Sequence, residues 1–226
     1  MGKAKVLEGQ RKWQSSLEIL NNAIVKHSWF LPALIEKAKT LMMIADWGQA
    51  LDTAQRITDK EQDNIEALRL QVLHLLSRES RTEAASQTLR SLFAAIEAHE
   101  PRNYELLIGC AQLFARLAGR HHKILNITVN MVKKALSIHA ASAQSQKVKD
   151  SEATLHTELG YQLFLMGNLP QASESFHKAV DKDTSDVRAL YGIIKCRIQE
   201  GNLEEAAEHL DLLNEVQASI GESAEL

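Results

Sequence analysis

Residues 152–180 read EATLHTELGYQLFLMGNLPQASESFHKAV, and the centre of this stretch returns further along the chain. Gly167-Asn168-Leu169 recurs as Gly201-Asn202-Leu203, 34 residues on, and Ala172 recurs as Ala206 at the same interval. In the first half Trp13 pairs with Trp47, Ala33 with Ala67 and Ala50 with Ala84, each again 34 apart. Five coincidences at one interval define a 34-residue repeat. Within the quoted stretch, Leu155, Leu159, Leu163 and Met166 fall at spacings of four and three, one face of a helix. Gly167 supplies a left-handed stop, Asn168 an N-cap, and Pro170 sits in the first turn of a second helix, where its missing N–H costs nothing. Ala172, Phe176, Ala179 and Val180 form the second apolar stripe.

Composition agrees with helices joined by short loops. The 226 residues are 45% hydrophobic and 24% charged, enough to bury a core and poorly suited to disorder. Ten glycines and three prolines are roughly half of the ordinary share of about 12%, which argues against many-turned β-sandwiches and barrels. The net charge of −3 offers no basic excess for a phosphate backbone, so no nucleic-acid partner is expected. The longest apolar run, Trp29 to Ile35, contains Pro32 and falls far short of the ~20 residues of a membrane span. Cys110 and Cys196 stand alone and read as reduced core cysteines of a cytosolic protein.

A 34-residue helix–turn–helix with Gly-Asn at the turn and Ala five beyond resembles the tetratricopeptide repeat. On that frame the small-residue column after the turn reads Ser16, Ala50, Ala84, Ala172 and Ala206. The next column reads Leu20, Ala54, Thr88, Phe176 and Leu210, and the one closing the second helix Ala23, Ile57, Ser91, Ala179 and Leu213. The family's early Trp is replaced by Leu34, Leu68, His156 and Leu190, and its terminal Pro by Ser28, Gln62 and Thr184. HEAT and armadillo units run longer, about 40–47 residues. The resemblance implies an all-α fold, a right-handed superhelix (α-solenoid) of stacked antiparallel helix pairs.

The register gives one solenoid over 1–226, with a partial unit at 1–30 and units at 31–64, 65–98, 99–152, 153–186 and 187–220. The irregular unit 99–152 opens a first helix at Pro101 and Asn103 that stops at Gly119, followed by a long helix from about His121 to His139. Residues 140–151 (AASAQSQKVKDS) lack apolar periodicity and are read as an exposed loop, with a short extra turn as the alternative. Met1 falls at the fifth position of a repeat and Gly221 opens a new one, so the expectation is a piece of a longer solenoid.

Chemistry is sparse. The nine histidines show no i, i+4 pair and no nearby cysteine, so no metal site is expected. Ser175-Phe176-His177-Lys178 fits SxxK in letters, but lies inside a repeat helix without the accompanying motifs. There is no GxGxxG and no GxxxxGK[ST], and Asn126-Ile127-Thr128 is a sequon in letters only. We expect no catalysis, no cofactor and no small-molecule substrate.

Tetratricopeptide solenoids bind other proteins along a concave wall lined by the first helix of each unit. In this frame the wall positions are Ile35, Lys39, Met42 and Met43, then Arg69, Leu73 and Leu76, then Tyr161 and Phe164, then Tyr191, Lys195 and Ile198. A wall so apolar either marks a binding surface or is buried by superhelical winding; both imply a covered surface. A carboxylate clamp of the chaperone-binding type is disfavoured. The lone Lys-x3-Asn, Lys60 to Asn64, lies at a unit junction, and no Lys-x3-Arg exists.

Three strings go beyond the consensus: Pro32 to Ile57 (PALIEKAKTLMMIADWGQALDTAQRI), Thr157 to Ala172 (TELGYQLFLMGNLPQA) and Leu210 to Leu226 (LDLLNEVQASIGESAEL). They resemble the tetratricopeptide repeat protein 21 family, and the resemblance runs from about Leu7 to Leu226. It implies a non-catalytic, cytoplasmic and ciliary scaffold, a subunit of intraflagellar transport complex A in retrograde transport and cilium assembly. Its partners would be other subunits of that complex, with no direct membrane insertion. The alternative is a soluble adaptor binding a short peptide motif in its groove.

Overall fold

The computed structural model describes residues 1–142 and 147–224. Among them are twelve α-helices and no strand, an all-α solenoid of helix pairs. Two compact units divide the chain, Met1–His99 and Glu100–Leu226.

The first unit holds α1 (Gly2–Gly9), α2 (Trp13–Lys26), α3 (Leu31–Met43), α4 (Trp47–Thr58), α5 (Ile65–Ser77) and α6 (Thr82–His99). Each helix packs on the next in sequence. Its main core gathers Ala4, Leu20, Ile24, Leu34, Ala38, Ala54, Ile57 and Leu70, with Leu17, Leu41 and Ala50 forming a second cluster. Small side chains at the crossings let the helices approach closely. The first of that column is Ser16, fully buried, whose hydroxyl lies 3.0 Å from a Glu8 carboxylate oxygen, which satisfies its polar group.

Three-residue turns join α3 to α4 and, in the second unit, α9 to α10. Each places one residue in the left-handed region and an N-cap after it. Asp46 accepts from the Gln49 N–H at 3.2 Å and Asn168 from the Gln171 N–H at 3.4 Å. Gly167 (φ 78°) and Gly201 (φ 81°) take the left-handed position freely, whereas Ala45 occupies it at φ 62°. A Cβ in that region costs about 1–2 kcal/mol, partly offset by the greater chain entropy of glycine in the unfolded state. Ala45→Gly is therefore expected to raise the unfolding free energy of the first unit by about 0.5–1 kcal/mol. Urea titration followed by tryptophan fluorescence reads this directly, because Trp13, Trp29 and Trp47 all lie in that unit. No change, or a loss, contradicts it.

Between α5 and α6 the turn is one residue longer, and Ser80, not Glu79, takes positive φ (52°). The extra residue advances α6 by one position against the expected register. Ala85, Leu89 and Leu92 fill the core columns, fully buried, in place of Ala84, Thr88 and Ser91; Ala84 and Thr88 are half-buried and Ser91 is exposed. The apolar stripe of α6 decides, since the expected register would bury Thr88 and Ser91 while exposing Leu89 and Leu92.

The second unit holds α7 (Tyr104–Ala118), α8 (His122–Ser142), α9 (Lys147–Leu165), α10 (Leu169–Lys182), α11 (Val187–Glu200) and α12 (Leu203–Ala224). Asn103 caps α7 through the Leu106 N–H at 2.9 Å, and Gly119 ends it at φ 60°. Its core centres on Leu107, Phe114, Ile124, Leu125 and Met131, all essentially inaccessible. The expected exposed loop at 140–151 is largely helix: 140–142 complete α8 and 147–151 open α9, while 143–146 lie outside the described residues. A helix needs no apolar face where it runs past its packing partner, and Ala, Gln and Lys are good helix formers. Likewise α12 continues through Gly221 to Ala224, so no new repeat opens there among the described residues. Cys110 and Cys196 are buried thiols outside any disulfide, and burial pushes the Cys196 thiol up to about 11, leaving it protonated and inert.

Candidate partner-binding surface

In the second unit, α7, α9, α10 and α11 enclose an open groove of about 280 Å³. Helix periodicity explains its lining. Thr157, Tyr161 and Phe164 fall on one stripe of α9, and Arg188, Tyr191, Gly192 and Lys195 on one stripe of α11. Arg116 reaches it from α7 and Phe176 from α10. Thr157 also ties the first turn of α11 in place. Its hydroxyl donates to Asp186 Oδ2 at 2.6 Å, while Asp186 Oδ1 accepts the Arg188 and Ala189 N–H groups at 3.0 and 3.1 Å.

Phe176 sets the groove's floor. Its ring lies between α9 and α11 at the two positions where those helices carry glycine. A Cβ added at Gly160 would fall 2.7 Å from the ring, and one at Gly192 2.5 Å from it. Glycine inside a helix costs about 1 kcal/mol relative to alanine, and here that cost admits an aromatic ring between two helices.

The rim is cationic and aromatic. Tyr161 and Tyr191 are exposed large side chains, and the Lys195 ammonium sits 4.4 Å from the Tyr191 ring centroid. Arg116, Arg188 and Lys195 are all exposed. Below them Glu158 is buried and accepts from Gln162 Nε2 at 2.8 Å. Burial raises its carboxyl above the ordinary 4.5, outweighing the opposing pull of the Gln162 hydrogen bond, Arg116 and Arg188. Gln162 Oε1 meanwhile has no donor among the described residues.

A raised folded-state pKa means that the native protein holds this proton more tightly than the unfolded chain. The carboxyl therefore favours folding below its ordinary value and opposes it increasingly as pH rises through the folded value. Glu158→Gln keeps an acceptor for Gln162 Nε2 and adds a donor for Gln162 Oε1. The variant is expected to melt higher than the parent at neutral pH, with the gap closing as pH falls to the ordinary value of 4.5. Circular dichroism melts across that range test it; a gap that widens on acidification contradicts it.

Of the wall positions expected from the sequence, Tyr161, Phe164, Tyr191 and Lys195 line this one groove, while Ile198 is exposed on α11 beyond it. In the first unit Met43 is 65% exposed, and Ile35 and Met42 are half-buried against the core. Lys39 and Arg69 both reach Glu66, at 3.4 and 3.6 Å, and Leu73 is half-buried. Leu76 is a correction: it is only 8% exposed and belongs to the core, because α5 turns this position toward its neighbours. Sequence reasoning missed Arg116, Glu158, Arg188 and the Gly160–Phe176–Gly192 arrangement. The two mid-helix glycines were the available signal.

Among the described residues no group of three or more His, Cys, Asp or Glu is placed to hold a metal ion, and no helix is long and apolar enough to cross a membrane.

Helix pairs of this length, stacked with a left-handed residue at the turns, define a tetratricopeptide-type helical-repeat protein. The solved structure of YrrB, described as a TPR protein with an unusual peptide-binding site, superposes with a TM-score of 0.61 at 17% identity. It covers 89% of this chain and 94% of its own. Models of the second ARM domain and of the N-terminal ARM repeat of tetratricopeptide repeat protein 21 match residues 87–226 and 1–51. The chain belongs to the tetratricopeptide repeat protein 21 family. It is 37% identical to tetratricopeptide repeat protein 21B of Homo sapiens over all of its own length and 16% of that protein. It is 34% identical to tetratricopeptide repeat protein 21A of Mus musculus over 99% of its own length, again 16% of the relative. The chain thus spans about one-sixth of the curated relatives it matches.

Proposed function

We propose that the chain is a segment of a non-catalytic protein–protein scaffold, acting within intraflagellar transport complex A in retrograde ciliary transport and cilium assembly. The observation that carries the scaffold reading is the groove of the second unit. It presents exposed tyrosines and cations on rigid, well-packed helices, the residue types that dominate protein interfaces. Family membership supports the assignment to the ciliary complex. Its partners are other subunits of that complex, and its place is the cytoplasm and the cilium.

The first unit carries a separate candidate contact: Met43 offers a flexible, exposed thioether that adapts to an irregular partner. Co-purification of the tagged chain from ciliated cells, with mass spectrometry, tests the reading. Recovery of the other complex subunits, lost in Met43→Asp or Tyr191→Ala chains that remain helical, is expected. Undiminished recovery with both variants rejects these surfaces. The shape of the groove also favours a second reading, an adaptor that takes a short peptide, in line with the peptide-binding site described for YrrB.

A further inference from the structure

We infer that the groove between α9 and α11 receives an extended acidic segment of a protein partner, a bulky apolar side chain flanked by Asp or Glu. Charge complementarity selects this occupant. Arg116, Arg188 and Lys195 come from two helices and surround an apolar floor formed by Phe164 and Phe176, with Tyr161 and Tyr191 at the mouth. The one carboxylate in the lining, Glu158, is buried beneath them and offsets part of the Arg116 and Arg188 charge, leaving three cations against one carboxylate. On a chain of net charge −3, three exposed cations around one apolar depression form a local reversal of sign. Such a reversal steers an acidic partner and repels a basic one.

Size sets the rest. A volume of about 280 Å³ lies at the lower limit of small-ligand pockets. It admits one or two side chains and the backbone carrying them, rather than a folded domain. The Lys195 ammonium over Tyr191 holds both groups in place before any ligand arrives, which lowers the ordering cost of binding. Three cations beside an apolar aromatic floor suit carboxylates flanking an anchor side chain. This inference rests on the scaffold reading and gives one of its surfaces a partner chemistry.

Fluorescence anisotropy with the full 226-residue chain tests it. The probes are labelled peptides with a central Phe flanked by Glu and Asp, the same peptide with Lys flanks, the acidic peptide with a central Gly, and a single-stranded RNA oligonucleotide. The acidic Phe peptide is expected to bind, more weakly as salt rises, and the Lys peptide not to bind. The Gly peptide should bind roughly tenfold more weakly. Arg188→Glu with Lys195→Glu should weaken the acidic peptide by roughly tenfold or more and create binding of the Lys peptide. Arg188→Gln with Lys195→Gln, at the same exposed positions, gives an intermediate loss and covers a failure of the reversed variant to fold. The inference is overturned if the acidic peptide does not bind, if its affinity is unchanged in either double variant, or if the RNA binds more tightly. If the peptides fail while complex subunits still co-purify, the partner chemistry is wrong and the scaffold reading stands. Peptide binding without recovered subunits rejects assembly into the complex alone.

Discussion

Alanine at position 192 is expected to destabilise the second unit by about 3 kcal/mol, although alanine is the better helix former. The new methyl would lie 2.5 Å from the Phe176 ring, well inside any tolerable carbon–carbon distance. An aromatic ring can usually retreat, but this one is backed by Gly160 of α9, where the free space is equally small. Overpacking therefore has no easy relaxation, and the expected loss stands at the upper end of such substitutions. Urea denaturation followed by circular dichroism measures it, while the tryptophan signal, confined to the first unit, should hardly move. A compensating cycle identifies the cause. Phe176→Leu alone costs about 1–2 kcal/mol for lost burial, but combined with Gly192→Ala it should recover part of the loss, a coupling of about 1–2 kcal/mol. Strict additivity of the two changes shows that the ring is not what excludes the methyl.

The second large effect falls on α5. Leu76→Asp is expected to unfold the first unit or lower its stability by about 4 kcal/mol or more, because it removes an apolar side chain and buries a carboxylate with no partner. Leu73→Asp, three residues earlier on a half-buried position, should cost about 1–2 kcal/mol, because its carboxylate can reach water. Tryptophan fluorescence during urea titration separates the pair. Equal, small effects would place Leu76 on a free surface and return it to the partner wall. Loss of partner binding by Leu76→Asp, taken alone, therefore reports unfolding and not contact.

The helix pairs were legible from turn chemistry. Gly167, Asn168, Gly201 and Asp46 mark reversals that nothing but a paired-helix repeat explains, and the chain turns at each. What escaped was the extra residue before α6. Ala84 and Ala85 are adjacent and equally small, so the 34-residue spacing is satisfied by the wrong one, and no glycine marks Ser80 as the left-handed residue. The apolar pair Leu89 and Leu92 was the better guide, since burial outranks repeat arithmetic. The helical flanks of 140–151 were missed for a related reason: amphipathic periodicity reports packing, not helicity, and a helix can outrun its neighbour. Within the groove, Tyr161, Phe164, Tyr191 and Lys195 were visible as one face of two helices. Arg116 was not, because which distant helix leans on which face is fixed by tertiary packing and leaves no local trace. Arg188, by contrast, shares the α11 stripe of Tyr191 and Lys195 and was readable from helix periodicity. Glu158 reads as a surface residue until Gln162 and the covering helices are in place.

The ring of Phe176 works as a rivet through three helices. With its ring against both α9 and α11 and its stem on α10, none of the three can swing outward without unseating it from both others. Their backbone amides should accordingly exchange with solvent as one cooperative block, with matched protection along Leu159–Leu163, Ser175–Ala179 and Leu190–Ile194. A slot held open at fixed width in this way selects its guest by girth, admitting an extended strand and turning away a helix.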